Sequence, residues 1–140
     1  MNSFQLDPRL AADSLPIDSL ELCQLRLMND QRFPWLLLVP ARPGTVEVLD
    51  LDAADQMRLW DEIRVVAGAV RSVFAPDKLN IAALGNVVPQ LHVHVIGRFR
   101  NDAAWPAPVW GVGTPEPWPD GAKDEIERLR RALQQTPDHA

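Results

Sequence analysis

Residues 33–39, FPWLLLV, constrain the fold more than any other stretch of the chain. The run is apolar almost throughout and ends sharply at Pro40, followed by Arg42-Pro43-Gly44. It is far shorter than the roughly 20 residues a membrane span needs. A short apolar run bounded by turn residues is the pattern of a central β-strand buried on both faces. Upstream, residues 20–27 alternate in part, with Leu20, Leu22, Gln24 and Arg26 opposite Glu21, Cys23, Leu25 and Leu27, which suits a strand better than a short helix. Residues 28–32 supply the turn between them, so the two strands are expected to form an antiparallel hairpin. Residues 1–19, with Pro8 and Pro16 among polar side chains, read as an extended or turn-rich lead-in that packs on the rest.

Residues 52–74 read as the main helix. Asp52 can cap it, with Asp55 adding negative charge to the first turn, and Trp60, Ile63, Ala67, Val70 and Phe74 recur at three- and four-residue spacing, widened by Leu59, Val66 and Val73. Pro76 ends it. A short strand is expected over 79–84, then the Gly85-Asn86 turn and Pro89 lead to another strand over 90–98. Residues 99–119 hold five prolines with Trp105, Trp110 and Trp118, so regular structure is not expected there and a long ordered loop is. Its tryptophans can cover one end of the core; alternatively the loop is a lid or wall over the strand at 90–98, or a dimer contact. The segment 120–136 reads as a final helix, with Asp120 as its cap and Ile126, Leu129 and Leu133 on one stripe. Four or five strands, a long helix and a C-terminal helix make an α+β domain with a mainly antiparallel sheet. At 140 residues one domain, 1–140, accounts for the chain.

Charge narrows the function. Fourteen basic against 19 acidic residues, a net charge of -5, argue against a general grip on a nucleic acid polymer, which needs a basic face. A small nucleotide can still be bound locally. The single Cys excludes an intramolecular disulfide framework, the N-terminus lacks a signal-peptide pattern, and no apolar run is long enough for a membrane. The expectation is a soluble cytoplasmic protein.

Chemistry concentrates in residues 90–98, QLHVHVIGR. On a strand, successive side chains alternate, so Gln90, His92 and His94 line one face while Leu91, Val93 and Val95 line the other. Two imidazoles without an acid between them stay largely neutral near pH 7, since an ordinary His titrates near about 6.5. That suits a nucleophile or a phosphate ligand. The same pair can be the solvated face of a half-buried strand, or a fragment of a zinc site. A zinc site needs three or four ligands; with His139 at the end of the chain and Cys23 the only cysteine, a third would have to be a carboxylate or come from another chain, so no metal and no other cofactor is expected.

The wider stretch GNVVPQLHVHVIGR resembles the signature of the histidine triad (HIT) family of nucleotide hydrolases and transferases, and the likeness extends more weakly over residues 20–100. By that resemblance Gln90 stands at the first triad position, where the family has His; His92 stands at the nucleophile and His94 at the third. Gly85 and Asn86 fall on the turn that contacts phosphate, and Arg98 on the basic residue that closes the signature. Trp35 lies where many members carry a further His. Asn29 or Asp30, in the turn before the second strand, falls near a ribose contact and reads equally as a plain turn residue. The resemblance implies a HIT-like five-stranded fold and a homodimer. It also implies attack by His92 on the α-phosphorus of a nucleoside phosphoramidate or dinucleoside polyphosphate, through a nucleotidyl-imidazole intermediate. An amide at position 90 can donate but cannot exchange a proton, which leaves a second class open: a nucleotide-binding or regulatory module with little turnover.

Overall fold

The computed structural model describes residues 3–135. Five strands, β1 (Ser14–Ser19), β2 (Cys23–Met28), β3 (Trp35–Pro40), β4 (Lys78–Ala82) and β5 (Val93–Arg98), form one sheet in the order β1-β2-β3-β5-β4. Each neighbouring pair is antiparallel. The helices are α1 (Pro8–Asp13), α2 (Ala53–Phe74) and α3 (Lys123–Gln135), so the α+β architecture expected from the sequence is the one found. The apolar run at 33–39 becomes β3, buried at every position and flanked by β2 and β5.

The sheet has a core on each face. On one side α2 and α3 bury Leu59, Ile63, Val66, Val70 and Leu129 against inward residues of β2, β3 and β5. On the other, Phe33, Trp35, Leu37 and Ile96 are covered by Leu10 of α1 and Val109 of the loop. The two histidines of the signature therefore sit in a second, covered layer. They are not on an open strand face.

Helix α2 starts where Asp52 accepts from the Asp55 N–H at 2.8 Å and ends at Ala75, whose φ of 49° is left-handed. Its buried stripe differs from the expected one. Trp60 is 62% exposed. Glu62 points inward instead, where its carboxylate accepts the N–H groups of Leu22 and Cys23 at 2.8 and 2.9 Å and so fixes the start of β2. At Gly97 a Cβ would lie 2.8 Å from the Pro34 ring, so only glycine lets β5 pass this close to the turn before β3.

Residues 3–19 are more regular than expected. Asp7 caps α1 by accepting from the Arg9 N–H at 2.8 Å, with Pro8 at the first helical position, where it lacks only a donor that would go unused. Pro16 lies in β1, an edge strand with a register shift beside it, and an edge tolerates proline. Boundaries moved elsewhere too: β2 begins at Cys23, β4 covers Lys78–Ala82, and β5 begins at Val93, with Gln90 and His92 just before it. A single turn at Pro119–Ala122 precedes α3, and Asp120 lies inside that turn at φ 54°, away from the helix cap. Position 136 and His139 lie outside the described residues. Among the described residues no helix is long and apolar enough to cross a membrane.

Candidate functional site

The approach to β5 is fixed before the histidines begin. The Leu91 N–H donates to the Thr45 carbonyl at 2.9 Å, and the Gln90 side chain is held at both ends by the N-terminal segment. Its Oε1 accepts the Asp7 N–H at 2.8 Å, and its Nε2 donates to the Gln5 carbonyl at 2.8 Å. A carboxamide thus pairs with the backbone as a peptide group would in a sheet. Gln90 meets His92 through its backbone: its carbonyl lies 2.7 Å from His92 Nδ1. A carbonyl oxygen only accepts, so Nδ1 carries the proton and Nε2 of the neutral ring keeps its lone pair.

His94 has the opposite tautomer. Trp35 Nε1 donates to its Nδ1 at 2.9 Å, so the ring proton sits on Nε2. The ring is 3% exposed, and burial first, the neighbouring His92 second, lower its pKa to about 3. His94 is uncharged at any ordinary pH. His92 lies 4.9 Å away between ring centroids and Trp110 5.0 Å away, nearly perpendicular to His94, with Trp35 at 5.8 Å. Within this aromatic box two buried N–H groups, His94 Nε2 and Trp110 Nε1, have no hydrogen-bond partner among the described residues. A buried donor left unpaired costs about 1–3 kcal/mol, so such groups mark places where an acceptor from outside the chain can be received. Trp110 brings the Pro/Trp-rich loop directly onto the histidines, where it acts as a wall of the box as well as a core cover.

A shallow pocket lined by Val46, Glu47, Leu84, Gly85, Leu91 and His92 opens beside the box. Gly85 takes a φ of 68°, and the exposed Asn86 follows it. Other clefts, at Pro16, Arg26 and Arg130 or along Pro119–Glu125, hold no histidine. Glu47 carried no signal in the sequence, and neither did the contact of residues 5–7 with Gln90, whose partners lie 83 and 85 positions away.

The remaining expected site residues face other parts of the chain. Arg98 is 2% exposed; it donates twice to Asp102, at 2.8 and 3.0 Å, once to Asn80 Oδ1 and once to the Ala107 carbonyl. Asn29 Oδ1 accepts the Trp118 N–H at 2.9 Å. Asp30 is buried, pairs with Arg32 at 2.8 Å and accepts the Glu116 N–H. Burial raises the Asp30 pKa, and the Arg32 and backbone hydrogen bonds outweigh it to leave the carboxyl below its ordinary value. These three side chains tie the loop to the sheet. Among the described residues no cluster of three His, Cys, Asp or Glu side chains has the arrangement of a metal site.

No curated protein matches the chain. Solved structures do. A histidine triad protein from Bradyrhizobium japonicum is 47% identical, with 94% of this chain and 99% of that one covered at a TM-score of 0.92. One from Sinorhizobium meliloti 1021 is 48% identical, with 92% and 96% covered at 0.90, and one from Marinobacter aquaeolei VT8 is 41% identical, with 96% and 98% covered at 0.91. The model of the HIT domain family matches residues 10–101, from the middle of α1 past the end of β5. With its sheet, its oriented His92 and the match across most of its length, the chain belongs to the HIT domain family.

Proposed function

We propose that the chain is a nucleotide hydrolase or nucleotidyl transferase that uses His92 Nε2 as its nucleophile on a nucleoside phosphoramidate or dinucleoside polyphosphate. The observation that carries this reading is the 2.7 Å hydrogen bond from His92 Nδ1 to the Gln90 carbonyl, which leaves the Nε2 lone pair available without any proton transfer. The lone pair forms a P–N bond to the α-phosphorus while the bond to the amine or phosphate leaving group breaks. The departing group takes its proton from solvent, since the Gln90 amide has none to exchange. The ring, bonded at Nε2 and still protonated at Nδ1, is then cationic, and its P–N bond is labile. Water or another acceptor attacks phosphorus, the electron pair returns to Nε2, and the attacking group's proton leaves to solvent.

In this reading the His94 Nε2–H donates to a phosphoryl oxygen, Gly85 and Asn86 hold the phosphate from the turn beside the pocket, and Gln90 contributes position. Asn29, Asp30 and Arg98 are assigned to the architecture of the loop, because Asn29 Oδ1, the Asp30 carboxylate and the Arg98 guanidinium are engaged within the chain. The reading includes a homodimer. Met57 and Trp60, one turn apart on α2, and Ile81 on the edge strand β4 are exposed apolar side chains of the kind a second copy would cover. The engagement of Gln90 by the N-terminal segment favours the second reading, a binding module with little turnover, because no titratable group then stands at the first triad position.

Turnover of adenosine phosphoramidate and a dinucleoside polyphosphate, with trapping of the adduct and mass spectrometry, decides between them. The expected result is a nucleotidyl group on His92. An adduct on another residue, or binding without turnover of either substrate, sinks the catalytic reading.

A further inference from the structure

The mechanism above leaves the indole N–H of Trp35 unused. This residue opens β3, is 7% exposed, and directs its indole N–H at His94 Nδ1. An indole nitrogen donates and never accepts, at any pH. Protonating His94 at Nδ1 would set one N–H against another in a place closed to water. Nothing around the ring offers compensation: its cross-strand neighbours are Leu37 on β3 and Ala82 on β4, the loop presents Trp110, and His92 is the titratable ring against it. The other ring nitrogen has no hydrogen-bond partner among the described residues. One end of the imidazole is therefore fixed as an acceptor and the other is left as an uncommitted donor.

We propose that Trp35 is a positioning residue that locks His94 in the Nε2–H tautomer and keeps it from taking a second proton, so that this ring serves a bound ligand only as a neutral hydrogen-bond donor. The lock needs no carboxylate and no second histidine. It makes His92 and His94 chemically unlike although they stand two residues apart: a carbonyl assigns one a free lone pair, and an indole assigns the other a free N–H. Burial and the adjacent His92 act in the same direction, lowering the basicity of the ring to about 3. The class of ligand atom that fits the free N–H is an oxyanion or carbonyl oxygen; that it is a phosphoryl oxygen rests on the function proposed above, whereas the tautomer does not.

The test is long-range 1H–15N correlation spectroscopy of the full chain labelled at histidine nitrogens, from pH 5 to 8, with His94→Gln used to assign the ring. The expected spectrum has His94 bare at Nδ1 and protonated at Nε2, with no titration across the range. Trp35→Phe should turn this into a mixture of tautomers or bring a titration into the window. Incorporating 3-benzothienylalanine at position 35, which keeps the shape of the indole and removes its N–H, should do the same if the phenyl variant fails to fold. A proton on Nδ1 in the natural chain, or a His94 signal unchanged when the indole N–H is removed, overturns the lock. Absence of turnover with His94 locked as described would overturn the function proposed above and leave this inference standing.

Discussion

His94 and Arg98 stand four residues apart on one face of β5, both buried, and the chain treats them in opposite ways. Arg98 is saturated: Asp102, Asn80 and the Ala107 carbonyl take its donors, and its guanidinium also lies over the Phe33 and Trp105 rings. His94 is given a donor on one side and nothing on the other. A satisfied buried charge fixes architecture, because removing one partner strands the other. An unsatisfied buried donor adds nothing to architecture and costs about 1–3 kcal/mol. One strand face is thus divided between a corner that holds the fold and a box that leaves hydrogen-bonding capacity free.

The sharpest way to break this comparison is at His92. His92→Asn should lower turnover by about 10⁴-fold or more, as loss of a nucleophile does, while the free energy of unfolding falls by no more than about 2 kcal/mol, an ordinary cost for one buried substitution. Steady-state rates beside urea titrations measure both. Turnover that persists, or a protein that unfolds in step with its loss of activity, would mean that the ring is structural.

At the corner the pattern should invert. Asp102→Ala leaves the Arg98 charge buried without its carboxylate and should cost about 3–5 kcal/mol in urea unfolding. A loss below about 1 kcal/mol would place the pair with exposed surface bridges.

Acid separates the two regions by pH. His94 is held below its ordinary value of 6.5, at about 3, so the unfolded chain binds a proton that the folded chain refuses. Its contribution to stability is present above pH 6.5 and is lost as pH falls from there toward 3, by at most about 1.4 kcal/mol per unit. Burial alone would raise the Asp102 carboxyl; the Arg98 guanidinium and the N–H groups of Phe99, Ala104 and Trp105 bring it from 3.8 to about 2 instead. That contribution is lost only below pH 3.8. Chemical denaturation at half-unit steps from pH 7 to 4.5 should show a decline that His94→Gln flattens, and an unchanged slope in that variant would contradict the neutral buried ring.

The smallest effect is expected at Gln90. Gln90→His should change kcat/KM by less than about tenfold, under about 1.4 kcal/mol, because His92 is oriented by the backbone carbonyl of residue 90 and not by its side chain. Hydrogen exchange should rise at Asp7, whose N–H loses its acceptor. A gain of a hundredfold with a new ionisation in the pH profile would show that proton exchange at position 90 limits the natural chain.

Much of this was readable in the sequence. The apolar run gave β3, the Asp52 cap and its periodicity gave α2 to within a residue, and alternation placed Leu91, Val93 and Val95 in the core. The failures share a cause. Pro8 and Pro16 read as breakers because neither a helix start nor a sheet edge is visible locally. Asn29 and Asp30 read as a turn because their partners in the loop are 86 to 89 positions away. The pairing of Arg98 with Asp102 spans only four positions and could have been suspected, but nothing local reveals that the pair is buried.

The lone cysteine has a practical consequence. Cys23 sits at the head of β2, 1% exposed, opposite Pro40, and burial first and Glu62 second raise its thiol far above the ordinary range. Alkylating reagents need a thiolate they can reach, and the folded chain offers neither requirement. The rate at which a maleimide labels the protein therefore counts openings of the sheet near Glu62, with no probe to be engineered and no other thiol to confuse the count.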